Sequence, residues 1–373
     1  MNRILSLRTG SVVNRFSGKE KDGVLLLPVS GVADEDAAVS VNGVPADVTG
    51  GTFTATVPVK EKFTDIAMTA ENNCGRTVHT VRILYDKASF PRYNFFIDDN
   101  SFFWTEISRQ RPKSLFDHFY LGFLRRMHQT YGTKFTLNLF YRNDHDFCEL
   151  KSFPDCYKGE FQDNASWLRM SWHAYSEFPD RPYQNAPAAK LAADYDLIRE
   201  EVCRFAGENC FIPPVAAHWS MIRPDGMAEL VKRGVRVMIA QFLNPKTSLT
   251  EKQPEEHLCD INYFTNLREC LYLAKRKMLY DFRQQVLFLK GTLICNYWTP
   301  EQITALIDRE AAEAGFTDML SLETHEQYTF PGYFNYLPDH TARIESAIRR
   351  ATELGYAPVW FSEGFLVNRT LES

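Results

Sequence analysis

No Cys-x-x-Cys pair occurs among the eight cysteines, Cys74, Cys148, Cys156, Cys203, Cys210, Cys259, Cys270 and Cys295, and no short spacing repeats among them. That excludes a zinc knuckle and argues against a disulfide framework. Free thiols in a reducing compartment are the expectation. No window approaches the ~20 consecutive apolar residues of a membrane span, and Met1-Asn2-Arg3-Ile4-Leu5 lacks the apolar core of a signal peptide. Long runs of one charge sign are also missing. With a formal net charge of −5 and a pI near 6.0, the chain offers no basic field to nucleic acid. A soluble, cytoplasmic protein with neither a membrane nor a nucleic-acid partner is therefore expected. Aromatic residues are what the chain has in quantity: 28 Phe, 17 Tyr and 6 Trp, more than a plain helical bundle needs. Such rings fill cores and also line sugar-binding pockets.

The 373 residues leave room for one large core and a smaller domain. From Gly23 to Tyr85 the pattern alternates with period two, as in Val24-Leu25-Leu26-Leu27-Pro28-Val29 and Thr52-Phe53-Thr54-Ala55-Thr56-Val57, with turns at Asn42-Gly43 and Gly50-Gly51. Short antiparallel strands at this spacing predict a β-sandwich over residues 1–88. Val39-Ser40-Val41-Asn42-Gly43 and Ala70-Glu71-Asn72-Asn73-Cys74-Gly75 resemble the immunoglobulin-like modules appended to bacterial carbohydrate-active enzymes, which implies a spacer or a carbohydrate-binding role.

Beyond Asp86-Lys87-Ala88-Ser89 the period changes. A helical stripe at Phe116, Tyr120, Phe123, Met127 and Tyr131 stops at Gly132, and strand-like Phe135-Thr136-Leu137-Asn138-Leu139-Phe140 follows. The alternation continues with strands at Leu168–Trp172, Val215–Ala217, Val235–Ala240, Asp318–Leu322 and Val359–Phe361. Helices are expected at 190–206, 225–233 and 339–354, and from the capping box Thr299-Pro300-Glu301-Gln302 to Gly315. Strands separated by single helices require parallel pairing. The expected fold class is therefore α/β: a distorted β/α barrel of seven or eight mostly parallel strands over 89–373. The charged stretch near 244–290 is read as a helical insertion.

In such a fold reactive groups collect at the carboxyl ends of strands. The apolar run Phe95-Phe96-Ile97 stops at Asp98-Asp99-Asn100, and other strands end in His173, in His218, and in Glu323 with His325. One adjacent acid facing a metal and the other a water would suit hydrolysis assisted by a divalent ion. Of the aromatics near these ends, Trp172 and Trp219, each beside a histidine, are the candidates for a sugar-binding wall.

Phe96-Ile97-Asp98-Asp99-Asn100, His173-Ala174-Tyr175-Ser176-Glu177 and Leu322-Glu323-Thr324-His325 resemble motifs of the polysaccharide deacetylases, over roughly Tyr93 to Phe365. The resemblance implies a distorted β/α barrel and a metal-dependent hydrolase, with zinc as the metal, that removes an acyl group from an N-acylated sugar or related C–N amide. It implies Asp98 as general base, Asp99 and His173 as metal ligands, and His325 as general acid. Three departures stand out. Asn100 replaces the family's usual glycine, and Glu177 occupies the place of the second histidine. The arginine motif has no match, with Ala217-His218-Trp219 in its place. Glu177 and His218 compete to complete the metal site. Two other readings follow from the residues: a metal-free glycoside hydrolase using Asp98 with Glu323, or a carbohydrate-binding protein on a degenerate catalytic fold.

Overall fold

The computed structural model describes residues 2–87, 89–240, 272–273, 275–312, 318–361 and 363. Two sheets are built from residues 3–85. One has the order β1 (Arg3–Ile4), β4 (Val24–Val32), β8 (Thr52–Val59), β7 (Asp47–Thr49), with β3 (Lys19–Lys21) also on β4. The other runs β2 (Val12–Val13), β10 (Gly75–Tyr85), β9 (Phe63–Asn72), β5 (Ala38–Val41), β6 (Val44–Pro45). Pairing is antiparallel apart from β2 on β10. Inward residues such as Leu25, Leu27, Phe53, Ile66, Met68 and Ile83 share one core between the sheets, as period-two alternation requires.

The second part is α/β, but its strand pairing does not close into the expected ring among the described residues. A parallel sheet runs β13 (Leu168–Ala174), β12 (Phe135–Phe140), β11 (Arg92–Asn100), β18 (Met319–His325), β17 (Leu293–Ile294), with β19 (Ala357–Pro358) also on β11. A separate mixed sheet has the order β14 (Val237–Ala240), β16 (Val286–Lys290), β15 (Met278–Asp281). The expected strand at Val215–Ala217 is a buried irregular segment. It gives β14 a single bond, Ile239 N–H to the Val215 carbonyl, 2.7 Å, and just before it Ile212 N–H donates to the Met170 carbonyl on β13, 3.0 Å. Pro213 and Pro214 cannot donate to a ladder, which interrupts pairing there.

Other expectations also need correction. Residues 244–271 lie outside the described residues, but 278–290 form β15 and β16 rather than helix. The short apolar runs Met278–Tyr280 and Val286–Leu289, separated by a turn, suit buried strands better than a helix face. The terminal strand pairs at Ala357 and Pro358, just before Val359. The capping box at Thr299 is present, with Thr299 N–H on Gln302 Oε1, 3.0 Å, and Gln302 N–H on Thr299 Oγ1, 3.4 Å; Gly315 lies outside the described residues.

The helices relevant to the site are α1 (Phe102–Gln110), α2 (Phe119–Tyr131), α3 (Lys158–Asp163), α4 (Ala188–Phe205), α5 (Pro224–Lys232), α6 (Pro300–Ala312) and α7 (His340–Glu353). Alternate residues of β11 enter different cores. Tyr93, Phe95 and Ile97 join the helix-side core, whereas Phe96 packs with Val237, Ile239, Leu287 and Leu289 of the smaller sheet. Asn94, Phe96 and Asp98 thus share the inner face.

The two parts are joined by more than the chain. Tyr280 N–H bonds the Gly10 carbonyl, 2.9 Å, and Arg15 grips the buried Asp318 through Nε, 3.0 Å, and a terminal nitrogen, 2.6 Å. At Gly10, φ is +93° and a Cβ would lie 2.6 Å from the Tyr280 carbonyl, so both backbone shape and space demand glycine. The six described cysteines are free. No described helix is long and apolar enough to cross a membrane.

Candidate metal and acid-base site

Between Ile97 and Asn100 the pairing of β11 with β12 slips, and Asp99 takes a left-handed conformation, φ 61°. That backbone shape costs a non-glycine residue about 1–2 kcal/mol. The slip re-aims side chains, as bulges do. Neighbouring acids on an extended strand would point to opposite faces; here both flank one imidazole. His173 Nε2 lies 3.1 Å from Asp99 Oδ1 and its Nδ1 lies 3.8 Å from Asp98 Oδ1.

Asn100 accounts for the slip. Its amide donates to the carbonyls of Ile97, 2.6 Å, and Asn138, 3.1 Å, and its oxygen accepts from the Tyr120 hydroxyl, 3.0 Å. A glycine at this position has no side chain with which to satisfy those buried carbonyls.

His218, in the turn after Ala217, completes a compact cluster. Its Nδ1 is 3.3 Å from Asp99 Oδ1 and 3.2 Å from His173 Nε2. Its Nε2 is 3.0 Å from the Glu177 carbonyl. A carbonyl can only accept, so Nε2 carries the proton and the Nδ1 lone pair faces the cluster. Phe140 backs both rings, with centroid distances of 5.3 Å to His173 and 5.0 Å to His218.

The three atoms therefore make a near-equilateral triangle with edges of 3.1, 3.3 and 3.2 Å. Tetrahedral zinc with ligands at ~2.0–2.1 Å requires edges of about 3.3–3.4 Å. Asp99 Oδ1 is also buried without a hydrogen-bond partner. Two imidazole nitrogens and one orphaned carboxylate oxygen fit a small divalent cation.

Electrostatics keep Asp99 anionic but favour the proton on His173, so a cation here competes with a proton. Burial opposes ionisation of Asp99, yet the adjacent His173 and His218 hold its carboxyl well below the usual range. Burial opposes protonation of His173, but Asp98 and Asp99 outweigh it and raise its pKa. Asp98 is pushed up, first by burial, against the pull of His173 and His325.

Glu177 does not enter the cluster. Its carboxylate is taken by His145 Nε2, 2.5 Å, and Gln327, 3.4 Å, while its backbone carbonyl fixes His218. The sequence competition between Glu177 and His218 is thus divided between side chain and main chain. Trp172 is no sugar wall: it is fully buried, packed on Tyr183 at 5.0 Å and Tyr195 at 6.0 Å. The alternation that turns His173 inward turns Trp172 out beneath α4. Trp219 is 39% exposed beside His218, with the Arg181 guanidinium 4.9 Å above its ring.

A second group joins the first. One ligand atom each from Asp98, Glu323 and His325 lie within 4.8 Å of one another. β18 runs parallel to β11 with Asp98 opposite His325 and Phe96 opposite Glu323. His325 Nδ1 donates to Asn296 Oδ1, 3.0 Å, leaving Nε2 without that partner. Asn138 donates to Asp98 Oδ1, 2.6 Å. Sequence reasoning passed over Asn138, although a lone amide inside the apolar run Phe135–Phe140 is a signal in itself. Asn296 and Glu326 carried none. Buried Glu326 accepts from the backbone N–H groups of Ser101, 2.6 Å, Phe102, 2.8 Å, and Phe103, 2.7 Å, and so caps α1 from another element. Burial pushes its carboxyl up to about 8 against the pull of those donors.

A cavity of ≈ 540 Å³ lies elsewhere, lined by sandwich residues such as Leu27, Val29 and Thr56 together with Tyr272 and Arg276. It holds none of the clustered acids and histidines.

No protein-family profile matches the chain, and no curated protein matches it. Among solved structures, one from Bacteroides fragilis provisionally named an alpha-galactosidase shares 11% identity at a TM-score of 0.27, covering 92% of this chain and 77% of its own. A second from the same organism, provisionally named alpha-galactosidase/melibiase, shares 12% at 0.26, covering 92% and 78%. Likenesses at such scores carry no argument about chemistry.

Proposed function

We propose that the chain is a carbohydrate-active hydrolase that removes an acyl group from an N-acylated sugar, using a divalent metal, zinc by donor type, held by Asp99, His173 and His218. The observation that carries this reading is the triangle of three donor atoms around the orphaned Asp99 oxygen. When bound, the metal supplies Lewis acidity at the reacting carbonyl and its attacking water. Asp98, steadied through Oδ1 by Asn138, takes the proton from that water. His325, oriented through Nδ1 by Asn296, gives a proton from Nε2 to the departing amine. The resemblance of Asp98-Asp99, His173 and His325 to deacetylase motifs supports these roles.

A second reading rests on the other group. Asp98 and Glu323, with oxygens within 4.8 Å, are near the carboxyl separation of about 5–5.5 Å used by retaining glycosidases. Such an enzyme keeps its activity in chelator.

Metal content of protein purified without chelator tests the first reading. Near-stoichiometric metal is expected, falling at least tenfold in Asp99→Ala and His173→Ala; unchanged occupancy in both removes the site. On acetylated sugars, Asp98→Asn should retain the metal yet slow acetate release by about 10²–10⁴.

A further inference from the structure

We propose that Asp98, Glu323 and His325 form a second site for a divalent transition-metal ion, weaker than the one at Asp99, His173 and His218, and that an ion bound there stops hydrolysis. The site stands on its own donors. Only its inhibitory effect rests on the hydrolase reading.

Strand pairing assembles the group. Glu323 and His325 are alternate residues of β18 and share a face, and the parallel register sets His325 opposite Asp98 on β11. One ligand atom from each of the three lies within 4.8 Å of the other two. Asp98 and Glu323 are buried, whereas His325, at the strand end, is half-buried and gives an ion a way in from solvent.

Two buried acids side by side need a counter-charge. Among the described residues Asp98 accepts one hydrogen bond, from Asn138, for its two oxygens. His173 Nδ1, buried without a hydrogen-bond partner, stands 3.8 Å from Asp98 Oδ1, too far to bond it directly. On the other strand His325 is held as metal-binding histidines are. Its Nδ1 donates to Asn296 Oδ1, 3.0 Å, which leaves Nε2 to bind. One imidazole favours a transition ion over magnesium or calcium, and two carboxylates favour it over a soft ion such as copper(I).

Spacing ranks the two sites. The atoms of Asp99, His173 and His218 already stand 3.1, 3.3 and 3.2 Å apart, close to the ~3.3–3.4 Å of a tetrahedral ion. In the second group the limit is 4.8 Å, so its side chains must draw together on the ion, which lowers affinity.

Inhibition follows from the roles of the same atoms. An ion on Asp98 takes the lone pairs that would accept a proton from the attacking water. An ion on His325 Nε2 stands in place of the proton that the departing amine needs. Both transfers stop together, and each is worth about 10²–10⁴ in rate.

Zinc binding to full-length, chelator-stripped protein, counted by equilibrium dialysis with elemental analysis, tests the site. Two ions per chain are expected, the second held about tenfold or more weakly than the first. Glu323→Gln and His325→Gln should each lose the second ion and keep the first, whose retention shows that the variant is folded. Asp99→Ala should lose the first and keep the second. Acetate release from acetylated sugars should fall about 10²-fold or more as the second ion fills, and Glu323→Gln should show no such fall from its own starting rate. A single ion in the unaltered protein overturns the site and leaves a proton shared by Asp98 and Glu323 as the counter-charge. A second ion that persists in both glutamine variants overturns it too, assigning that ion to the surface, as does loss of both ions together in each variant. Undiminished acetate release with the second ion bound overturns the inhibition. Two ions retained in Asp99→Ala, with one lost in Glu323→Gln, would remove the metal of the hydrolase reading and leave the second site standing.

Discussion

Strands β4 and β11 are each nine residues long, yet their burial differs at every second position. In β4, Leu25, Leu27, Val29 and Gly31 are buried and the residues between them are at least partly wet; in β11 all nine residues are buried. One face of β4 meets the sandwich core and the other meets solvent. Both faces of β11 are covered, one by helices and the other by the small sheet. The difference teaches where chemistry can reside. A polar residue on the wet face of β4 stays hydrated and has its ordinary properties. Asp98 and Asp99 at the end of β11 are stripped of water, so their ionisation is set by His173, His218 and His325.

Three measurements would break or sharpen this contrast. The largest effect is expected from Trp172→Ala, which empties a fully buried site beneath α4. It should lower unfolding free energy by about 3–5 kcal/mol in urea titration. A loss below about 1 kcal/mol would mean that the helix-covered side of the sheet is not tightly packed.

Next comes pH. His340 is buried between Thr324 Oγ1, 2.6 Å, and Thr329 Oγ1, 2.7 Å, and burial pulls its pKa down to about 3. Below the ordinary histidine value near 6.5 the unfolded chain takes up a proton that the folded chain refuses. Stability from this residue is therefore present above about 6.5 and is lost as pH falls towards 3. Between pH 6.5 and 4 the loss should be about 3 kcal/mol. His340→Gln should flatten that part of the pH–stability curve; an unchanged slope would assign acid sensitivity elsewhere.

The smallest effect belongs to the sandwich. Val78 on β10 is 58% exposed, so Val78→Thr should shift stability by no more than about 0.5 kcal/mol. A larger loss would show that this wet face is covered in solution.

The strand β12 was legible to the residue, because Phe135–Phe140 is a short apolar run behind a glycine that stops a helix. Helix α4 was legible to within two residues at either end. Of the smaller sheet β14 was legible, but β15 and β16 were not, because they lie within a stretch whose flanking charge suggested a solvated helix. At the site, Asp98, Asp99, His173 and His325 were legible as polar ends of apolar strands, and His218 as the polar end of an apolar run that forms no strand. Trp172 was misjudged, since adjacency to His173 in sequence means the opposite face in a strand.

By itself the sequence determined the period of each element, and with it which residues turn inward together: Phe96 with Asp98, Glu323 with His325. It could not determine the register slip that turns Asp99 towards His173, or the choice between Glu177 and His218. Both depend on contacts made across the sheet, by Asn100 to the Asn138 carbonyl and by the Glu177 carbonyl to His218. Local pattern records which face a side chain takes, whereas hydrogen-bond partners tens of residues away exist only once the strands are side by side.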